Sequence, residues 1–378
     1  MKVFVIVHEF PPIGGGGGRA AYDICKGLVE RGHQVTVLTS RMKGLSAYDT
    51  ISGVQVIRLF TFRREAYRAS LASMFVYILV GMFAGYFVIR KLQPDVLHCH
   101  FAVPAGALGW MLSRMTGIPY ILTAHLGDVP GGVPEKTDRW FRWMYPFTPP
   151  IWKGARKVVA VSEYTRRLAA RTYPVQMEVI PNGVELTQSE LINREIHLPV
   201  RLVFAGRFMP QKNPIQLINI LSELSDLSWR CSMVGDGPLL DDVKKLVKEV
   251  GLSERIEFPG WVTPEQVLIY LSKADILVMP SLSEGLPVIG VQALAQGLAL
   301  VVSKVGGFVD LVEEEKNGYL IEPIDKTGFV KSLRYLITNP NKLAQFQNAS
   351  QIKARNYDLE KVVRRYEGVL LGSQKNGP

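Results

Sequence analysis

Cysteine is scarce in this chain. Cys25, Cys99 and Cys231 are the three in 378 residues, and no two of them form a Cys-x-x-Cys pair. An odd, scattered set argues against a disulfide framework and a structural zinc site, and fits a reducing cytosol. No small-residue cleavage site follows the opening strand Met1–Val7, which speaks against a secretory leader. Charge is missing in one place above all: Leu71 to Ile89 contains no charged residue. As a helix this stretch is about 28 Å long, close to the thickness of a bilayer core. A span would separate strands before and after it that belong to one sheet, and the flanks are basic on both sides (Arg63, Arg64, Arg68; Arg90, Lys91). Two readings remain: a crossover helix buried between the sheet and its neighbours, or a helix whose outer face lies in the lipid interface.

Acidic residues are also short in the first half. Residues 1–185 hold 22 Lys and Arg against 12 Asp and Glu, and residues 186–378 hold 22 of each, so the whole +10 sits in the first half. That half therefore faces something anionic. No nucleic-acid module is present and the basic residues do not interleave with exposed-looking aromatics, so an anionic membrane fits better than nucleic acid. The same excess tips residues 71–89 towards the interface.

What is present is alternation. Lys2–Val7, Gln34–Leu38, Val54–Leu59, Val96–His98 and Tyr120–Thr123 read as strands, with a helix over Arg19–Arg31 ended by Gly32. Such βα alternation implies a parallel sheet. Pro11–Gly18 reads as a loop whose five consecutive glycines let backbone N–H groups approach a ligand. It is not a clean G-x-G-x-x-G, and no acidic residue caps Gln34–Leu38, so a dinucleotide site is poorly supported. The aromatic, Pro-rich stretch 138–152 reads as a helix and loop covering a cleft. Residues 186–199 read as a linker, and a second βα series begins at Arg201–Ala205. The expected domains are 1–185, 200–355, and a terminal helix over 356–378.

The stretch Ser283–Leu294 organises the second domain. It follows the apolar run Asp275–Pro280, a buried parallel strand, and Pro287 suits the first turn of a helix. A strand end, a carboxylate and a helix start thus meet in a crevice at the sheet's carboxyl edge, where open α/β sheets bind ligands and free N–H groups attract anions. Glu284 and Gln292 flank that point. Arg207 and Lys212, five apart behind Gly206, sit in the loop after Arg201–Ala205 on the same edge and supply a forked and a point cation for phosphate oxygens.

In order, the chain carries His8-Glu9-Phe10-Pro11-Pro12 with the glycines, Arg31-Gly32-His33, Pro94–His100, Thr123-Ala124-His125-Leu126-Gly127-Asp128 and Ile180-Pro181-Asn182-Gly183. Gly206-Arg207…Lys212, Gly235-Asp236-Gly237-Pro238, the Glu284 segment and Gly306-Gly307 follow. This set resembles the retaining, nucleotide-sugar-dependent glycosyltransferases of family 4, with the GT-B fold. The resemblance implies two Rossmann-like domains facing a cleft, acceptor on the first and donor on the second, with the terminal helix crossing back to the first domain. It implies that Arg207 and Lys212 hold the donor diphosphate and that Glu284, with Gly285 and Leu286, contacts the transferred sugar. His125 would stand near the reacting centre. Backbone around Gly15, Gly16, Gly17, Gly306 and Gly307 would approach donor or acceptor. No metal or other cofactor is implied. The acceptor would be lipid-linked or a cell-envelope glycan precursor, on the cytoplasmic face of a membrane.

One departure stands out: the second Glu of the family's E-x7-E pattern is Gln292, a neutral group that loses on the order of 1 kcal/mol at a ribose hydroxyl. Asp128 is the residue we expect on the acceptor side, and Asp236 is expected to serve its turn. His33 is expected to pack or cap. His98 and His100 are expected to point in different directions and so not to share a metal. An epimerase on the same fold, or a non-catalytic sugar-binding protein, are the alternatives to transfer.

Overall fold

The computed structural model describes residues 1–65, 69–133, 144–186 and 194–372. The chain divides into two compact units, residues 1–183 with 359–378, and residues 184–358.

Unit 1 holds eight strands: β1 (Lys2–Ile6), β2 (Gln34–Met42), β3 (Tyr48–Ile51), β4 (Val54–Arg63), β5 (Val96–His100), β6 (Tyr120–Ala124), β7 (Lys157–Ala160) and β8 (Met177–Val179). Their order is β3-β4-β2-β1-β5-β6-β7-β8, parallel except for the β3–β4 pair. Those two strands turn through Ser52 and Gly53, both at positive φ (48° and 78°), a hairpin conformation that matches strand twist. Central strands such as Val-Leu-His-Cys-His are buried at every position, as strands covered on both faces must be. The chain moves to one side of β1 for β2 and to the other for β5. The switch point, where such sheets bind ligands, therefore lies at the carboxyl ends of β1 and β5.

Among the described residues the helices of the first stretch of unit 1 are, in chain order, α1 (Gly16–Glu30), α2 (Leu71–Leu92), α3 (Ala107–Thr116), α4 (Pro149–Lys153) and α5 (Glu163–Ala170). α1 starts earlier than expected. Gly16, Gly17 and Gly18 form its first turn and not a loop, and at two of them there is no room for a side chain. A Cβ at Gly17 would strike the Phe101 ring, and one at Gly18 would stand 2.7 Å from the Glu9 carbonyl oxygen. In the aromatic stretch 138–152, residues 138–143 lie outside the described residues. Its end is core, since Trp152 is fully buried and stacks on Tyr173 at 4.2 Å.

Unit 2 holds β9 (Val200–Ala205), β10 (Trp229–Val234), β11 (Ile256–Gly260), β12 (Ile276–Met279), β13 (Ala299–Ser303) and β14 (Gly318–Ile321). They run parallel in the order β11-β10-β9-β12-β13-β14, so the switch point falls between β9 and β12. The helices are α6 (Pro214–Ser222), α7 (Leu240–Glu249), α8 (Pro264–Ser272), α9 (Val288–Ala295), α10 (Phe308–Leu311), α11 (Lys326–Thr338) and α12 (Pro340–Ala354). Of the stretch 186–199, residues 187–193 lie outside the described residues and the remainder is pinned to unit 2. Arg194 donates to the carbonyls of Ser272, Ala274 and Gln296 just beyond α8 and α9, and His197 meets Asp275 at 2.9 Å. Helix α13 (Leu359–Gly372) belongs to unit 1. It lies so close to α1 that a Cβ at Gly27 would come within 2.5 Å of Val363. Glu367 on α13 receives both Arg31 (2.6 Å) and His33 (2.6 Å), which gives His33 its packing role.

Candidate active site

In unit 2 the switch-point loops are sewn together. The Gln211 carbonyl accepts from the Leu282 N–H at 2.8 Å, and the Gln211 side chain donates to the Ser283 carbonyl at 3.0 Å. These bonds set the loop after β9 against the loop after β12 and bring Lys212 Nζ to 2.5 Å from Glu284 Oε1. Ser281 Oγ donates to the same oxygen at 2.7 Å. Glu284 is buried, and its Oε2 has no partner among the described residues, so one face of the carboxylate can accept hydroxyl protons. Arg207, half-buried in the same loop as Lys212, has a guanidinium without a protein partner among the described residues.

Helix α9 starts three residues beyond Gly285. Pro287 occupies its N-cap, one position before the first turn to which the sequence points. No side chain caps it, and the N–H groups of Val288 and Ile289 remain open to an anion. Gln292 sits half-buried in the second turn, its side chain without a partner among the described residues. Gly306 and Gly307 brace the neighbouring turn. Gly306 has φ +55° and no room for a Cβ against the Glu284 carbonyl oxygen, while the Gly307 N–H donates to the Gly285 carbonyl. Their smallness lets the loop after β13 brace the Glu284–Leu286 turn, and Gly307 has no amide left to offer a ligand. On the other side the Gly235–Pro238 turn backs the Arg207 loop: Phe208 N–H donates to the Asp236 carbonyl at 2.9 Å, and the Asp236 carboxylate accepts from Gly237 N–H at 2.6 Å. Asp236 is thus a turn residue.

In unit 1 the switch point is lined by aromatic and imidazole rings, with Glu9 paired to Arg63 at 3.1 Å beside His8. Phe101, at φ +72°, stacks on His125 at 4.2 Å and meets His8 edge-on at 5.3 Å. His125 is buried, and burial lowers its pKa to about 4; His8 is lowered to about 4 for the same reason. The Asp128 N–H donates to the His125 carbonyl at 3.0 Å, and the buried His125 Nε2 has no partner among the described residues. Asp128 proves to be an anchor. Its Oδ1 accepts from Ala102 N–H and its Oδ2 from His125 N–H, each at 2.8 Å, tying the loops after β5 and β6 together. Burial pushes its carboxyl up to about 7 despite these bonds. It has no oxygen turned outward in the manner expected of an acceptor-side group. Gly15 is the N-cap of α1, and Gly16 and Gly17 open its first turn without a side-chain cap.

The expectation for His98 and His100 is corrected. Residues two apart on a strand share a face, so both rings project the same way, with centroids 4.3 Å apart. His98 Nε2 bonds Thr123 Oγ1 at 2.8 Å, while both ring nitrogens of His100 are buried without a partner. Burial lowers the His98 pKa to about 3 and that of His100 well below the usual range. Among the described residues no group of three or more His, Cys, Asp or Glu could hold a metal ion. Sequence reasoning also missed Ser281, Gln211 and Phe101. Ser281 lies three residues before Glu284, a spacing that allows it to be read as a partner; nothing in the sequence signals that Phe101 adopts a positive φ.

Two parallel α/β units, each with its candidate side chains gathered at a switch point, give the chain the GT-B architecture of glycosyltransferases. The Glycosyltransferase Family 4 model matches residues 14–188, and the Glycosyl transferases group 1 model matches residues 193–353. The chain belongs to glycosyltransferase family 4. It is 27% identical over 287 residues to an uncharacterized glycosyltransferase of Methanocaldococcus jannaschii, covering 76% of this chain and 78% of that one. It is 27% identical over 267 residues to the UDP-Gal:alpha-D-GlcNAc-diphosphoundecaprenol alpha-1,3-galactosyltransferase of Escherichia coli, covering 66% and 67%. Among solved structures, sucrose-phosphate synthase of Thermosynechococcus elongatus superposes with a TM-score of 0.85 at 20% identity over 98% of each chain.

Proposed function

We propose that this glycosyltransferase moves a sugar, with retention of anomeric configuration, from a nucleoside diphosphate sugar to a lipid-linked or cell-envelope acceptor at the cytoplasmic face of a membrane. The observation that carries the reading is the Lys212–Glu284–Ser281 cluster beside the open start of α9, with Arg207 uncommitted in the same loop. In the reaction the bond from the anomeric carbon to the diphosphate oxygen breaks, and its electron pair leaves with the nucleoside diphosphate. The acceptor hydroxyl forms the new bond on the same face, and its proton passes to the departing diphosphate. The transition state resembles an oxocarbenium ion, so the main demand is stabilisation of the leaving group's charge. Arg207, Lys212 and the helix N–H groups supply it, and no metal is called on. Glu284 Oε2 accepts from sugar hydroxyls and orients the ring. His125, a neutral imidazole with Nε2 unpartnered among the described residues, is placed to hydrogen-bond a sugar hydroxyl. The E. coli relative, whose name gives a UDP-sugar donor and a diphosphoundecaprenol acceptor, supports this donor and acceptor class.

Melting curves with uridine, guanosine and adenosine diphosphates test the donor. One of them should raise the melting temperature, with or without a chelator. Incubation with the matching sugar nucleotide and analysis of the product anomer tests the stereochemistry. No shift with any diphosphate, or an inverted product, contradicts the reading.

A further inference from the structure

Helix α2 is built inside out. Its core-facing positions are Ser73, Tyr77, Gly81, Gly85 and Ile89, small side chains but for two. A Cβ at Gly81 would stand 2.5 Å from Leu108 and one at Gly85 2.8 Å from Leu112, so the glycines let α2 lie hard against α3. The Tyr77 hydroxyl donates to the Leu38 carbonyl at 2.8 Å and fixes the helix on the sheet. Two residues further round, about 200° about the axis, run Leu71, Phe75, Leu79, Phe83 and Phe87. They are 63%, 61%, 41%, 65% and 69% exposed. A crossover helix shaped by the core alone would put its phenylalanines inside and its small residues outside. Here the order is reversed at five successive positions four residues apart, a contact line about 24 Å long.

The charges around this line select its occupant. Arg90 and Lys91 close the last turn of α2 and Arg64 precedes the helix; all three are exposed and none has a partner among the described residues. Arg63, by contrast, is buried against Glu9 at 3.1 Å and takes no part, and Arg68 lies outside the described residues. A second copy of the chain would bring together two halves that each carry a +10 excess, whereas an anionic bilayer compensates it.

We infer that the outer face of α2 lies flat in the interface of an anionic bilayer, its phenylalanines among the acyl chains and Arg64, Arg90 and Lys91 on the headgroups. The helix does not span, because Tyr77, Gly81 and Gly85 hold its other face to the protein. This deepens the membrane side of the proposed function and rests on it. The test needs neither donor nor acceptor, so a failed transfer assay would bear on that function and not on this surface.

The full chain is floated with vesicles of phosphatidylcholine with and without phosphatidylglycerol. It should bind the phosphatidylglycerol vesicles and lose binding as salt rises. The double variant Phe83→Ser/Phe87→Ser should bind at least about tenfold more weakly, and Arg90→Glu/Lys91→Glu should abolish the preference for phosphatidylglycerol. Both should melt with the wild type. If the serine variant melts lower, Phe75→Trp replaces it, read through quenching by brominated lipid: quenching upholds the surface, and its absence overturns it. Undiminished binding of the serine variant, or a wild-type dimer that this variant turns to monomer without vesicles, would overturn the inference.

Discussion

The two units share a parallel-sheet plan and gather their candidate side chains at the same topological point, yet the charge of each unit and that of its site run in contrary directions. Residues 1–185 carry the whole +10, but the site they build centres on imidazoles held neutral by burial, with the Glu9–Arg63 pair beside His8. Residues 186–378 carry no net charge, but their site holds a lysine–glutamate pair and a guanidinium with no protein partner among the described residues. Net charge therefore reports on the outer surface of a domain, not on the chemistry of its site. A neutral pocket suits hydroxyl-rich ligands, which offer hydrogen bonds and no charge. A pocket with cations and a helix start suits an anion that must depart.

The largest expected effect separates the units by pH. The imidazoles of His8, His98 and His125 titrate near 6.5 when unfolded and at about 4, 3 and 4 when folded. Their lowered values mean that stability is fully present above pH 6.5 and is lost as pH falls towards 4. At pH 5 each costs roughly 2 kcal/mol. Asp128, raised from 3.8 to about 7, works the other way: its contribution is fully present in acid and is lost as pH rises through 7. The histidines outnumber it, so hydrogen exchange at pH 5 should show unit 1 opening before unit 2. Equal protection of the two units would remove the contrast.

The next effect belongs to unit 2. Lys212→Ala leaves Glu284 buried without its cation, at a cost of about 3–5 kcal/mol. Donor turnover should be lost along with several degrees of melting temperature. Adding Glu284→Gln to that variant should restore the melting temperature but not the turnover, which separates fold from function. Smaller again is Arg207→Ala. The Arg207 side chain has no protein partner among the described residues, so melting should stay unchanged while diphosphate affinity falls by about 2 kcal/mol. Smallest is Gln292→Glu, which should tighten donor binding by up to about tenfold, read by calorimetry, with no change in melting.

Strand identities, the parallel sheets and the α9 segment are legible in the sequence because buried parallel strands read as unbroken apolar runs and loops carry the polar exceptions. The extent of α1 is not. Five glycines look like a loop until Phe101 and the Glu9 carbonyl are seen to occupy the space a Cβ would need. Asp128 looks like a free carboxylate because sequence cannot show that two backbone amides bind its oxygens. The shared direction of His98 and His100 follows from the two-residue period of a strand, which carries alternate residues to one face and puts Leu97 and Cys99 on the other. The sequence of helix α2 leaves a buried and an interfacial arrangement open; the fold closes one of its faces with glycines and leaves the other, with its phenylalanines, exposed.

The loops of β9 and β12, with the start of α9, are assigned the task of holding a departing diphosphate. Calorimetric titration of the nucleoside diphosphate that raises the melting temperature, beside its bare nucleoside, isolates that task in wild type and Arg207→Ala. The diphosphate should bind far more tightly than the nucleoside in the wild type, and this advantage should shrink at least about tenfold in the variant. Equal affinity for the two ligands, or an advantage untouched by the substitution, would refute the assignment.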